Sequence, residues 1–384
     1  MHQGGPRRIR ERDRGVDERQ YLPLRGLSEH SRRRVPGPGR HAAQGRWAAV
    51  KPICYARPTS VEQAVSTVTS RPATVFLAGG TTLVDMLRIG AMEPDNIVDI
   101  TWLPLGGIAH TPDGGLRIGA LATMSEVAAE PGVIERYPFL SVALWKGASA
   151  QLRNMATMGG NLMQKVRCSY FREPGSACDK RDPGSGCDAV DGLHRGHAIL
   201  GTGPSCFATH PSDVAIPLVA LDATVTVWGP RGERSIGFDD FFLLPGTTPH
   251  LEHPIAADEL ITRIDVPALP FARNSHYLKV RDRESYEFAL ASAAVAMSIA
   301  DGTVLDVRIG LGGVATKPWR ARIAEQMLIG VSATRENFTK AAATELQAAD
   351  TSHPMNAFKR ELAVRTLVRA LETVRPQHDS GGTR

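Results

Sequence analysis

The sequence predicts a body that mixes helices and strands in an α/β or α+β fold, preceded by an arginine-rich leader. Short apolar strands alternate with turns and helical segments over residues 51–147, which is typical of mixed folds. More strands follow residue 224, and the pattern is helical from Trp319 onward. A chain of 384 residues without an internal repeat is long enough for two or three domains.

Turn residues and apolar spacing predict each element of the body in order. The first half is predicted to contain an apolar strand around Cys54 with a buried thiol, a helix at 61–69 capped by Ser60, a strand at 73–78, a helix at 81–89, strands at 96–100 and 116–120, a short helix capped by Ser125, and a helix at 138–147. The second half is predicted to contain strands at 224–228, 260–266, 276–280 and 303–310, a helix of small residues at 289–299, and helices at 319–329, 335–349 and 355–374.

The positive charge of the chain is concentrated in residues 1–49. The whole chain carries a formal charge of +5, yet this leader alone has 12 Arg, no Lys and 5 acidic residues. The body is therefore close to neutral, which argues against nucleic-acid binding. No stretch approaches the about 18 apolar residues of a membrane span, and no apolar stretch follows the arginine pairs as a secretion signal requires.

Three interpretations of the leader compete: a disordered basic arm, a transit-like segment, or upstream sequence that is not translated. We favour the third, because arginine without lysine is typical of GC-rich sequence and the next methionine after Met1 is Met86. The native chain is then expected to start near Val50, which N-terminal sequencing would test.

Two Gly-Gly turns suggest a dinucleotide site. Residues 78–82 (AGGTT) lie between a predicted strand and a predicted helix, and residues 157–161 (TMGGN) follow later. Glycines let the backbone approach an oxyanion, and free N–H groups at a helix start favour phosphate. One such turn is usually only a turn, but two could hold both phosphates of one dinucleotide. The spacing is not G-x-G-x-x-G, so a Rossmann fold has no support.

Four of the five cysteines crowd into the irregular segment 165–205 and its end. Cys168, Cys178, Cys187 and Cys206 have the spacing C-x9-C-x8-C-x18-C. A loop this long needs something to hold it together, and two disulfides, a zinc site or an iron–sulfur cluster would each do so. The short knuckles of structural zinc are missing and disulfides need an oxidising compartment, but the spacing excludes neither. His194 and His197 are interpreted as loop histidines rather than ligands.

The two glycine turns resemble those of the FAD-binding medium subunit of molybdenum hydroxylases, the xanthine dehydrogenase and carbon monoxide dehydrogenase family. The resemblance covers about residues 51–375. It implies an α+β protein, with a two-lobed FAD-binding domain of the vanillyl-alcohol-oxidase type followed by an α+β C-terminal domain with a small antiparallel sheet and helices. The FAD contacts that it implies are Ala78, Gly79, Gly80, Thr81, Thr82, Leu83, Thr157, Gly159, Gly160, Asn161, Asp213, Ile261 and Lys279. For Lys279 the alternative is a surface lysine at the end of a strand.

The cysteine segment is similar to that of the FAD subunit of PaoABC-type aldehyde oxidoreductases. The matching motifs are RCSYFR at 167–172, CDKR at 178–181, PGSGC at 183–187 and CFAT at 206–209. This resemblance implies a [4Fe–4S] cluster on Cys168, Cys178, Cys187 and Cys206. Arg167, Lys180 and Arg181 would offset its negative charge.

The function that the resemblance implies is electron transfer within a heterotrimer. The chain would accept electrons from a small [2Fe–2S] subunit, which receives them from a large molybdenum-cofactor subunit, and pass them to an external acceptor. It would have no catalytic residues of its own and no nucleic-acid or membrane partner. The complex is expected in the cytoplasm, or in the periplasm if it is exported with a partner. A stand-alone FAD oxidase of the same fold is the alternative, and a zinc-stabilised binding module or a nucleic-acid protein is a third hypothesis.

The predicted organisation places domain boundaries where the composition changes. It consists of the leader 1–49, an FAD-binding domain 50–230 with the cysteine-rich insertion 165–206, a connecting segment 231–270, a C-terminal domain 271–376 of the CO-dehydrogenase-flavoprotein type, and a tail 377–384.

Overall fold

The computed structural model describes residues 52–375. The leader 1–49 and the tail 377–384, for which the sequence makes predictions, lie outside the described residues. No helix within 52–375 is long and apolar enough to cross a membrane.

Helices and strands alternate through most of the described chain. The strands are β1 Cys54–Ala56, β2 Thr74–Leu77, β3 Asn96–Asp99, β4 Ile108–His110, β5 Leu116–Gly119, β6 Thr224–Gly229, β7 Gly232–Gly237, β8 Leu260–Val266, β9 Ser275–Val280, β10 Ala291–Ala300, β11 Thr303–Gly312 and β12 Trp319–Arg320. The α-helices are α1 Val61–Ser70, α2 Leu83–Arg88, α3 Met124–Ala129, α4 Pro131–Arg136, α5 Pro138–Lys146, α6 Ala150–Arg153, α7 Met158–Leu162, α8 Ser169–Arg172, α9 Ala215–Ala220, α10 Arg322–Leu328, α11 Arg335–Glu345 and α12 Lys359–Val374, with a 3-10 turn at Leu346–Ala348.

The described strands form three separate sheets. The first is parallel, in the order β1-β3-β2. The second is antiparallel, in the order β4-β5-β8-β6-β7. The third is also antiparallel, in the order β12-β11-β10-β9, and helix α12 packs across β9 and β10. Residues 231–270, predicted as a connecting segment, thus supply two strands of the second sheet.

The prediction of a helix at 289–299 is wrong, because this segment is strand β10. It pairs with β9 on one side and β11 on the other, and its first seven residues are buried. Helix α12 and helix α9 both contact it. Small side chains let helices approach the sheet closely, and this packing outweighs the helix propensity of alanine.

Three smaller predictions are also corrected. Helix α3 is capped by Thr123 rather than Ser125, with a full capping box between Thr123 and Glu126. The segment 319–329 begins as strand β12 before helix α10 starts. The strand around Cys54 is present, but its thiol is exposed because β1 is an edge strand of its sheet.

Candidate nucleotide site and cysteine cavity

A cavity of about 480 Å³ lies where the two glycine turns meet. We call it the nucleotide cavity. Of the predicted FAD contacts, the residues that line it are Ala78, Gly79, Gly80, Thr81, Thr82, Leu83, Thr157, Gly159, Gly160 and Ile261. Its volume lies within the range of small-molecule sites. The fold therefore brings predicted contacts that are up to 183 positions apart in the sequence to one cavity.

The first glycine turn leads from β2 to α2 and has free hydrogen-bond donors. A Cβ added to Gly79 would lie 1.8 Å from the carbonyl oxygen of Met155, and Gly80 has φ +72°. Both positions therefore require glycine. Within the described residues, the backbone N–H groups of Gly79, Gly80, Thr81 and Thr82 make no hydrogen bond. Free N–H groups that face a cavity are suited to a phosphate.

The second glycine turn has little donor capacity left. The N–H of Gly159 donates to the carbonyl of Ala120 at 2.8 Å, and that of Gly160 donates to Thr157 Oγ1 at 3.1 Å. A Cβ on Gly160 would lie 2.9 Å from Thr157 Oγ1 and 4.0 Å from the Ala78 Cβ of the first turn. The second turn thus offers close backbone approach, while the first offers donors.

Asn161 does not line the nucleotide cavity, but it connects the second turn to the segment that contains Ser212. Its Oδ1 accepts hydrogen bonds from Ser212 Oγ at 2.5 Å and from Gln164 Nε2 at 3.0 Å. Ser212 precedes Asp213, another predicted contact. Asn161 therefore orients the turn from outside the cavity.

Asp213 and Lys279 form a buried ion pair and do not line the nucleotide cavity. Lys279 Nζ lies 2.8 Å from Asp213 Oδ2, and the side chain of Lys279 is 1% exposed. Tyr277 donates a hydrogen bond to Asp213 at 2.7 Å. Burial raises the pKa of Asp213, and the ammonium of Lys279 opposes this effect. The alternative of a surface lysine at position 279 is wrong.

Asp213 lines a second cavity of about 350 Å³, which we call the side cavity. Arg167, Cys168, His197 and Phe288 also line it. The side cavity thus lies between the Asp213–Lys279 pair and the first cysteine of the cluster.

All four clustered cysteines line one small cavity, which we call the cysteine cavity. Cys168, Cys178, Cys187 and Cys206 are free thiols there, together with His197 and Lys180. Burial raises the pKa of Cys168 and Cys187, and it raises the pKa of Cys206 to about 11 although Lys180 lowers it. Among the described residues, no three His, Cys, Asp or Glu side chains are arranged to hold a single metal ion. A polynuclear cluster separates its ligands further than one ion does.

The irregular segment around the cysteine cavity is held by basic side chains. Arg181 donates hydrogen bonds to the carbonyls of Tyr170 and Phe171 at 2.7 Å each. Its guanidinium therefore stabilises the conformation of the loop. Lys359, at the start of α12, donates to the carbonyls of Gly196, His197 and Gly313 at 2.7–3.0 Å. A ring nitrogen of His197 lies 3.3 Å from Cys168 Sγ.

The sequence did not indicate a further loop that lines the nucleotide cavity. His250, Leu251, Glu252 and His253 line it, together with Lys165. Glu252 is bonded to Lys165 and lies 3.2 Å from Lys180. The polar run at 250–253 has no periodicity, so only its content of titratable residues could have drawn attention to it.

The chain is similar to known flavin-binding proteins over most of its length. Residues 49–269 match the family model of the FAD binding domain in molybdopterin dehydrogenase, and residues 276–374 match that of the CO dehydrogenase flavoprotein C-terminal domain. The aldehyde oxidoreductase FAD-binding subunit PaoB of Escherichia coli (strain K12) is 42% identical over 332 residues, which cover 85% of this chain and 100% of that protein. The glyceraldehyde dehydrogenase medium chain of Sulfolobus acidocaldarius is 29% identical over 72% of this chain and 80% of that protein.

A solved structure shows the same fold. A chain of carbon monoxide dehydrogenase from Hydrogenophaga pseudoflava superposes with a TM-score of 0.65 at 26% identity, over 84% of this chain and 97% of that chain. The predicted α+β fold, an FAD-binding domain followed by a C-terminal domain, is confirmed. The chain therefore belongs to the family of FAD-binding medium subunits of molybdenum hydroxylases, which are oxidoreductases.

Proposed function

We propose that this chain is the FAD-binding electron-transfer subunit of a three-subunit molybdenum oxidoreductase. In this role it takes electrons from [2Fe–2S] clusters on a small subunit and passes them to an external acceptor, while a large subunit with a molybdenum cofactor oxidises an aldehyde or a related substrate. The observation that carries the proposal is the nucleotide cavity, with free N–H groups on one glycine turn and a second turn opposite.

Different residues of the site would contact different parts of the cofactor. Bound FAD would supply redox chemistry at its isoalloxazine ring. The N–H groups of residues 79–82 would bind its pyrophosphate, and Gly159 and Gly160 would let it approach the second turn. Ile261 would contact the flavin side. Lys279 is also assigned to the flavin side and Asp213 to the cofactor; both lie outside the nucleotide cavity, where their mutual ion pair would fix the two side chains.

We assign a [4Fe–4S] cluster to the cysteine cavity. Support comes from four free thiols that line one cavity and from the lysine beside them. Burial raises the pKa of three of these thiols, which favours their protonated form. Binding of the cluster would therefore release protons from them. Lys180 would offset the negative charge of the bound thiolates.

The cofactor and subunit content of the purified complex tests the function. We expect three kinds of chain, with FAD, iron and molybdenum together, and FAD that acid precipitation releases intact. A single kind of chain with FAD covalently attached, and neither iron nor molybdenum, would instead identify the alternative, a stand-alone FAD oxidase of the same fold.

A further inference from the structure

A partly buried series of three charged side chains, Lys165, Glu252 and Lys180, extends from the nucleotide cavity to the cysteine cavity. Lys165 Nζ pairs with Glu252 Oε2, and Lys180 Nζ lies 3.2 Å from Glu252 Oε1. The side chain of Glu252 is 14% exposed and that of Lys180 is 10% exposed. Lys180 also donates to the carbonyl of Pro249 at 2.8 Å, which fixes its ammonium beside the loop that carries Glu252.

Lys165 and Lys180 each supply a positive charge to one of the two cavities. Among the described residues that line the nucleotide cavity, Lys165 is the single Lys or Arg. The other carboxylate there, Glu259, is bonded to Arg234 at 2.7 Å. Lys180 is likewise the single Lys or Arg among the described residues that line the cysteine cavity. Glu252 lines the nucleotide cavity itself and is the partner of both.

The neighbouring titratable groups leave the series Lys165–Glu252–Lys180 with a net positive charge. Burial holds the pKa of His253 at about 4 and that of His210 at about 3, so both are neutral at pH 7. Burial would raise the pKa of Glu252, but Lys165 and Lys180 hold it at about 2, so Glu252 is ionised. One carboxylate therefore faces two ammonium groups.

We propose that Glu252 is a positioning residue that sets the affinity for FAD by dividing its charge between Lys165 in the nucleotide cavity and Lys180 in the cysteine cavity. This inference rests on the proposed FAD site. Lys165, the single Lys or Arg among the described residues that line this cavity, would pair with the pyrophosphate to the extent that Lys180 neutralises Glu252. The two cavities are thereby linked, and a linkage of this kind acts equally in both directions.

The test is a double-mutant cycle on FAD affinity, measured by titrating the flavin-depleted full chain, together with its co-purifying subunits, with FAD. Glu252→Gln leaves Lys165 unpaired, so the Kd for FAD is expected to fall about threefold to tenfold. Lys180→Met leaves Glu252 entirely to Lys165, so the Kd is expected to rise by a similar factor although Lys180 does not line the nucleotide cavity. In the Glu252→Gln background, Lys180→Met is expected to have no effect.

Two further variants guard against general damage. In a Lys165→Met background the effect of Lys180→Met should also vanish, and this variant keeps the carboxylate in place if Glu252→Gln does not fold. Lys317→Met breaks a partly buried pair with Asp239 (2.9 Å) away from both cavities and should leave the Kd unchanged. Weaker FAD binding in Glu252→Gln, or an undiminished effect of Lys180→Met in both backgrounds, would overturn the linkage. A wild-type chain that binds no FAD would instead overturn the proposed function.

Discussion

Gly160 faces the first glycine turn across the nucleotide cavity, and its lack of a side chain is predicted to be required for FAD. The Cβ of Gly160→Val would lie 4.0 Å from the Ala78 Cβ, and its methyl groups would fill the space between the turns. We expect the bound FAD per chain to fall below about a tenth of the wild-type value, because the backbone can no longer approach the phosphates. Flavin absorbance of the purified chain measures this.

Gly106→Val is the matched control, because a Cβ at Gly106 meets no atom within 4 Å. It should retain FAD. Full flavin retention in Gly160→Val would remove the second turn from the site.

Cys187 is predicted to be a ligand of the proposed iron–sulfur cluster. Cys187→Ser removes one of four thiols from the cysteine cavity, so we expect iron per chain to fall close to that of a cluster-free protein. Cys54→Ser, which removes an exposed thiol outside this cavity, should leave the iron content unchanged. Iron that stays at the wild-type level in Cys187→Ser would show that Cys187 is not a ligand.

Glu252 is predicted to make stability depend on pH in the acid range. Its pKa is about 2 in the folded chain against 4.5 for a free glutamate, so its stabilising effect is present above pH 4.5 and is lost as the pH falls towards 2. The shift corresponds to about 3 kcal/mol. The free energies of unfolding of the wild type and of Glu252→Gln should therefore differ by up to about 3 kcal/mol at pH 6 and converge near pH 2.

Denaturant unfolding at several pH values measures this difference. Glu361→Gln breaks an exposed ion pair with Arg365, so its free energy of unfolding should follow that of the wild type at every pH. A constant gap between wild type and Glu252→Gln across the acid range would contradict the assignment.

The sequence indicates candidate residues whose constraint is local, but not those whose role depends on partners far away in the chain. The glycine turns are recognisable because the constraint on Gly79 and Gly80 lies in the turn itself. The burial of Lys279 was not predictable, because its partner Asp213 lies 66 residues away. Lys165 and Glu252 are 87 residues apart and neither belongs to a motif.

At the scale of elements, the sequence pattern predicts the observed helix or strand except where tertiary packing overrides local propensity. Helix α5 and strand β8 follow their predicted bounds within one residue, because their apolar spacing matches the face that they bury. Strand β10 does not, since helices cover both of its faces and every small residue becomes useful for close approach. A pattern of alanines without alternation cannot distinguish a buried strand from a helix.

The cap of α3 provides a test at this scale. Thr123 accepts a hydrogen bond from the N–H of Glu126 at 3.2 Å, and its own N–H donates to Glu126 Oε2 at 2.7 Å. Thr123→Ala is expected to lower the free energy of unfolding by about 1 kcal/mol. Thr339→Ala removes a hydroxyl from the exposed face of α11 and should cost less. Chemical denaturation compares the two, and an equal loss would argue that the capping box contributes nothing.

At the scale of the whole molecule, FAD should stabilise the protein because it binds the folded state and not the unfolded state. At a free concentration 100 times its Kd, a ligand of the folded state adds about 2.7 kcal/mol to the free energy of unfolding. We expect the Tm of the flavin-depleted chain to rise with FAD concentration, and riboflavin, which lacks the pyrophosphate, to have a much smaller effect. An equal rise with riboflavin would mean that the glycine turns do not bind phosphate.

Lys359 gives the protein an order of assembly. It holds the carbonyl of Gly196 from a position 163 residues further along the chain, on the last described helix. During synthesis the cysteine segment therefore emerges long before its anchor exists. We expect the segment to reach its final shape only once α12 has been made and has packed on the third sheet. Loading of the proposed cluster is thus expected to follow translation. A chain that ends before Lys359 would expose its four thiols without the contacts that hold the cysteine segment in place.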